Sequence, residues 1–272
     1  MEALQFLAAP LVLGFLLIGI HAYLGLHVLK REVIFVDISL SQVAALGGAI
    51  SLFVVHGEDG GLVGLGFSLG LCLLVAFSLA LLKRYEKSTS QEALIGMTYA
   101  LASGALILVA DKLPHGAEHL KEALIGNILF ITWPQVLETA VIYAIIGALH
   151  WRFRKQFWRA SQGEEGVFWW DFLFYFLFGI VITFSTRHAG VLVVFSILVA
   201  PAALSSRFFT SLSSRLLFAW AVGSLGISLA FILSYFLDLP SGATVVCTLT
   251  SLFFLALLKR SGRVANTISS RK

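Results

Sequence analysis

Nine apolar stretches follow one another along this chain, and the polar turns between them alternate in charge. They run from Leu4 to Leu29, Val33 to Val55, Gly61 to Leu82, Ala93 to Ala110, Pro134 to His150, Val167 to Ser185, Ala189 to Ser205, Leu216 to Leu237 and Ser241 to Leu258. A hydrocarbon slab of roughly 30 Å takes about 20 apolar residues of helix. The 272 residues therefore leave little chain outside a bilayer. Lipid offers no hydrogen-bond partner to a bare amide or carbonyl, so runs of this kind must satisfy their backbones internally, as helices. A composition of 58% hydrophobic and 12% charged residues also has too little polar surface to cover a water-soluble globule. The expectation is an all-α polytopic membrane protein of about nine transmembrane helices, with one transmembrane domain over residues 1–272.

The turns set the orientation. Sixteen of the nineteen Lys and Arg residues follow the first, third, fifth, seventh and ninth runs. They are Lys30 and Arg31; Lys83, Arg84 and Lys87; Arg152, Arg154, Lys155 and Arg159; Arg207 and Arg215; and Lys259, Arg260, Arg263, Arg271 and Lys272. The opposite turns hold Lys112, Lys121 and Arg187 among the acids Glu58, Asp59, Asp111, Glu118, Glu122 and Asp238. Cytoplasmic loops carry the basic excess, so the N-terminus is expected outside and the C-terminus in the cytoplasm. The net charge of +4 is then a topology signal, with no nucleic-acid partner implied. Met1-Glu2-Ala3-Leu4-Gln5 lacks the basic start of a cleaved leader, so the first helix is expected to be retained. Cys72 and Cys247 both sit in apolar runs and suggest neither disulfides nor a zinc knuckle.

Chemistry in such a chain is sought among polar residues that lipid makes costly, about 2.5–3.5 kcal/mol for a central carboxylate on insertion scales. Asp37 is the clearest, with Ser41 one turn along the same face of the second run and Gln42 turned off that face. The competing explanation is that Asp37 caps its helix near the headgroups. A second cluster lies in an outer turn, where His115 and His119 are spaced to grip a divalent metal from one helical turn, with Glu118 or Glu122 as further ligands. A solvated loop with incidental histidines is the alternative. His21, His27, Glu92, Glu138, Asp171 and His188 are isolated, and each suits a cap, an interfacial anchor or a hydrogen-bonded core group. Ala102-Ser103-Gly104 reads as small-residue helix packing, not as a protease nucleophile. No phosphate-binding Gly-x-x-x-x-Gly-Lys-Ser/Thr occurs, so a pump built on this chain needs an ATPase on another subunit. No catalytic residue and no permanently bound cofactor is expected.

The last third contains Gly190-Val191-Leu192-Val193-Val194-Phe195-Ser196-Ile197-Leu198-Val199-Ala200-Pro201-Ala202-Ala203, followed by Tyr235-Phe236-Leu237-Asp238-Leu239-Pro240-Ser241-Gly242-Ala243. Together with Leu124-Ile125-Gly126-Asn127-Ile128-Leu129 and Glu92-Ala93-Leu94-Ile95-Gly96, in order over most of the chain, these resemble the permease subunit of the zinc/manganese-uptake family of ABC transporters. The resemblance implies a multi-pass protein of the bacterial cytoplasmic membrane that imports zinc, manganese or iron as substrate. Its partners would be a cytoplasmic ABC ATPase, an extracytoplasmic metal-binding protein and a second copy of itself. In that family an Asp and a His four residues later line the metal path. Asp37 matches the Asp, whereas Ser41, or Gln42 with one inserted residue, stands where the His is expected. Either replacement removes an imidazole and leaves oxygen ligands that suit manganese or iron. Glu92 joins this path set. The cytoplasmic turn from Ser205 to Arg215, with Arg207, Phe208, Phe209, Thr210, Ser211 and Leu212, is expected to couple to the ATPase. Alternatives are a permease for a metal chelate or vitamin-like cofactor, an ion-coupled carrier using Asp37, or a membrane scaffold. The sixth and seventh runs, short and separated by Arg187-His188, leave room for a re-entrant pair.

Overall fold

The computed structural model describes residues 2–55, 61–85, 89–126, 128–164 and 168–269, and among these it is helical with no strand. Glu58, Asp59, Lys87, Asn127, Arg271 and Lys272 lie outside the described residues. The helices are α1 (Glu2–Arg31), α2 (Val36–Val55), α3 (Gly61–Tyr85), α4 (Gln91–Ala110), α5 (Gly116–Ile125), α6 (Trp133–Arg152), α7 (Arg154–Ser161), α8 (Phe168–Ala189), α9 (Val191–Phe208), α10 (Leu212–Leu237) and α11 (Ser241–Ser269). A single 3-10 turn, Ile128–Phe130, separates α5 from α6.

Eight of the described helices are long and apolar enough to cross a membrane, and α6 with α7 makes a ninth candidate bent by 79°. Gln135, Glu138 and His150 dilute the apolar character of α6. The chain then breaks at Phe153 and α7 leaves at a steep angle. The sixth and seventh runs are not a re-entrant pair: α8 has 22 residues and α9 has 18, and each qualifies as a span by itself. They meet at Gly190, whose φ of 81° lies in the left-handed region that a side chain disfavours.

α1, α8 and α9 are the most enclosed helices, while α3, α4, α10 and α11 turn apolar faces outward. Met97, Leu101, Leu108, Leu225, Phe236 and Leu255 are exposed on those faces, as expected where lipid replaces water as the solvent. One group of helices gathers around α2, which packs on α3 and α4, with α3 on α8. A second gathers around α9, against α1, α10 and α11.

Contacts within the bundle fix which helix ends lie together. At the end opposite the basic turns, Gly126 (φ 66°) and Gly190 approach backbone to backbone. A Cβ added at Gly126 would fall 2.1 Å from the carbonyl carbon of Ala189, and one at Gly190 would fall 2.3 Å from the amide of Gly126. Gly242, at the start of α11, closes on the carbonyl of Ile125. Three motifs far apart in sequence are thus one backbone junction.

The basic end is held by a buried ionic network. Asp171, in the first turn of α8, accepts from Arg31 Nη1 at 2.5 Å and from Lys83 Nζ at 2.8 Å. Arg31 also donates from Nε to Ser161 Oγ at 3.0 Å and lies 4.0 Å over the Phe174 ring. His27 Nδ1 lies 2.8 Å from the same Ser161 hydroxyl. Phe157, Ala160 and Ser161 are the buried face of α7, so this short helix is clamped over the ends of α1 and α8.

Candidate functional site

Asp37 occupies the first turn of α2 and is fully buried. An aspartate capping a helix accepts from a backbone amide of that turn. Neither carboxylate oxygen of Asp37 meets a backbone amide or a cation; the Ser41 side chain, one turn along the same face, is the polar group that interacts with it. Capping therefore does not account for Asp37, although a negative charge at this position suits the helix dipole. An ionised carboxylate out of water is strongly unfavourable unless it is paired or binds a cation. Asp37 and Ser41 share a helix face and present oxygen, the donor type that suits a hard or borderline cation.

Glu92 belongs to the same neighbourhood. It lies in the first turn of α4, and its Oε1 accepts from the Phe35 amide at 3.3 Å, two residues before Asp37. Its Oε2 is buried without a partner. Gln42 is buried on α2 beside Ser41. Asp37 and Ser41 thus share a face of α2, Glu92 contacts the backbone just before it, and Gln42 is turned off that face. Among the described residues no three of His, Cys, Asp and Glu are grouped to hold a metal, so any cation held here also uses hydroxyl or backbone oxygen.

A cavity of about 380 Å³ reaches Ser41 from the opposite end of the bundle and stops one turn short of Asp37, which does not line it. Ser41 lines it, along with Gly48, Ser51, Gly64, Ser68 and Thr183. Ser41 lies ten residues before Ser51, a depth of roughly 15 Å at 1.5 Å per helical residue. Small residues make the space: a Cβ on Gly47 would fall 2.5 Å from the Ser68 Cα, so α2 and α3 run nearly backbone to backbone. Ser68 Oγ donates to the Ala44 carbonyl at 2.7 Å and pins that contact.

The outer histidines are placed differently from a helical pair. His115 (φ 58°) precedes α5 and is exposed, with Nδ1 3.4 Å from Glu118 Oε2. His119 is one turn into α5, and the side chains of His119 and Glu122 lie outside the described residues. Nearby, the Lys112 ammonium hydrogen-bonds Asp111 at 2.9 Å and lowers that carboxyl from its ordinary value.

The 205–215 turn is shorter than its sequence suggests. α9 continues through Arg207 and Phe208, Phe209 is extended, and Ser211 caps α10, its Oγ accepting from the Ser214 amide at 3.2 Å. Thr210 is exposed, and Leu212 is the first residue of α10. Phe208 and Phe209 both pack on Phe218, and Arg215 Nε donates to the Phe209 carbonyl at 2.8 Å. The turn is a rigid corner between two spans.

Sequence reasoning did not find the Arg31, Lys83, Asp171, Ser161 and His27 network. Its members are separated by up to 144 positions, and the one local signal was the Phe157, Ala160, Ser161 spacing that gives α7 a buried face.

Comparison with known proteins agrees with this architecture. The family model described as "ABC 3 transport family" matches residues 3–260. The manganese transport system membrane protein MntC of Listeria monocytogenes is 28% identical over 232 residues, covering 81% of this chain and 82% of the relative. The high-affinity zinc uptake system membrane protein ZnuB of Haemophilus influenzae is 25% identical over 263 residues, covering 94% and 98%. In fold, the chain is similar to a chain of PsaBC from Streptococcus pneumoniae in complex with Fab, with a TM-score of 0.75, 21% identity and coverage of 94% and 93%.

Proposed function

This chain belongs to the ABC 3 transport family, and we propose that it is the membrane-spanning permease of an ATP-driven importer of a divalent metal ion: zinc, manganese or iron. It resides in the bacterial cytoplasmic membrane with its basic end inward. A separate ABC ATPase hydrolyses ATP, an extracytoplasmic metal-binding protein delivers the ion, and two copies of the chain form the translocation unit. The observation that carries this reading is a buried carboxylate with no counter-ion among the described residues, Asp37, one turn from the Ser41 that lines a deep cavity.

In this mechanism the ion leaves the docked binding protein and enters the cavity from the end bearing α5. His115 and His119, with Glu118 and Glu122, assist the hand-over. Hydroxyls of Ser51, Ser68 and Thr183 exchange with the ion's water on the way to Ser41. Asp37 is the anionic waypoint, and Glu92 lies next toward the basic end. Binding there must be weak enough to release the ion, and oxygen donors without imidazole favour manganese or iron over zinc. Nucleotide-driven closure of the ATPases is transmitted through the corner formed by Arg207, Phe208, Phe209, Thr210, Ser211 and Leu212.

The cavity volume of about 380 Å³ lies in the range of small-molecule sites, about 300–1,000 Å³, and favours a metal chelate as the second reading. Proteoliposomes holding this chain with its ATPase and binding protein separate the two. ATP-dependent accumulation of free zinc, manganese or ferrous iron supports the first; uptake only of chelated metal, uncompeted by free ion, supports the second.

A further inference from the structure

The cavity that reaches Ser41 is oddly charged for a cation path. Its walls are small or hydroxyl-bearing, and the one charged side chain among its described lining residues is Arg187. Arg187 sits in the last turn of α8, where the carbonyl end of a helix favours a cation. It is exposed at the same end of the cavity as Gly61, so the positive charge stands at the mouth. Of the described acids in the outer turns, Asp111 pairs with Lys112 and Glu118 lies 3.4 Å from the His115 ring, while Glu58, Asp59 and the Glu122 side chain lie outside the described residues. Arg187 forms no ion pair among the described residues.

Low-dielectric walls focus the field of a fixed charge into a cleft. A cation approaching alone therefore meets repulsion before it reaches Ser51 or Ser68, while an anionic surface is attracted to the same point. Resting on the reading of the cavity as the metal path, we propose that Arg187 is a specificity-determining charge that refuses bare cations until an acidic surface of the docking protein neutralises it. The device makes uptake depend on the escort even when free metal is abundant outside.

The test reads the field in the cavity and its consequence separately. In the assembled complex, with Cys72 and Cys247 replaced by Ser, a thiol is placed by Ser51→Cys, and in a second preparation by Ser68→Cys. The reaction rates of a cationic and an anionic methanethiosulfonate reagent are then compared. Adding Arg187→Ala speeds the cationic reagent and slows the anionic one; at contact distance in water one unit charge changes each rate about fivefold in opposite directions, so the cation-to-anion ratio rises by up to about 25-fold, and by less with distance from Arg187. Arg187→Lys leaves the ratio near its starting value, and high salt shrinks the difference. In uptake assays Arg187→Ala accumulates free metal without the binding protein, whereas the parent does not. An unchanged rate ratio, Arg187→Lys behaving like Arg187→Ala, or an undiminished need for the binding protein would each overturn the proposal. If the parent complex transports no divalent ion under any condition, it is the metal path that fails, and the thiol rates still report whether Arg187 sets the field.

Discussion

Asp171 and Asp37 are both buried aspartates in the first turn of a helix at the basic end of the bundle, and they are opposites in every other respect. Asp171 is met by two cations, Arg31 and Lys83, and through Arg31 it connects to Ser161 and His27. Asp37 meets no cation among the described residues, only the Ser41 side chain. The first carboxylate has its counter-ions built into the chain, so it serves the fold. The second has no counter-ion among the described residues, and in the proposed mechanism the transported cation takes that place. Burial alone does not separate a structural charge from a working one; the state of its partners does.

The contrast can be broken experimentally. Asp171→Asn leaves Arg31 and Lys83 enclosed without their anion, and removing one partner of a buried ion pair typically costs about 3–5 kcal/mol. We expect a large fall in the thermal midpoint of the purified protein and a low yield of folded material. Ser161→Ala removes the hydroxyl that His27 and Arg31 share, and at about 1.5–3 kcal/mol for a hydrogen bond to a charged group the midpoint should fall by less. Gly126→Ala tests the other end, where a left-handed backbone alone costs a side chain about 1–2 kcal/mol and the overlap with Ala189 adds to it. Asp37→Asn should change stability by less than about 1 kcal/mol, or raise it, because a lone buried charge is replaced by a neutral isostere. A thermal midpoint as depressed as that of Asp171→Asn would erase the distinction. His115→Ala combined with His119→Ala should leave the midpoint unchanged and slow uptake only at low metal concentration, where hand-over limits the rate; unchanged uptake there would remove these histidines from the path.

Much of this architecture was legible in the sequence, and for a physical reason. In lipid the backbone must be satisfied helix by helix, so each span declares itself through its own apolar length, and the one-sided basic turns gave the alternation of ends. Asp37 stood out by the same logic, as a carboxylate in an apolar run. The bend between α6 and α7 was not legible, because a break at Phe153 depends on where α7 can dock. The same is true of the meeting of Gly126, Gly190 and Gly242, whose motifs were visible but whose contact exists only in three dimensions. Asp171 looked isolated in the sequence, since Arg31 is 140 positions from it.

The measurement that bears most directly on Asp37 is ATP-driven metal uptake by proteoliposomes carrying Asp37→Asn, with the ATPase and binding protein present and the folded fraction matched to the parent. Loss of uptake with intact folding and intact ATP hydrolysis is the predicted result. Uptake at the parent's rate and with the parent's metal preference would contradict it.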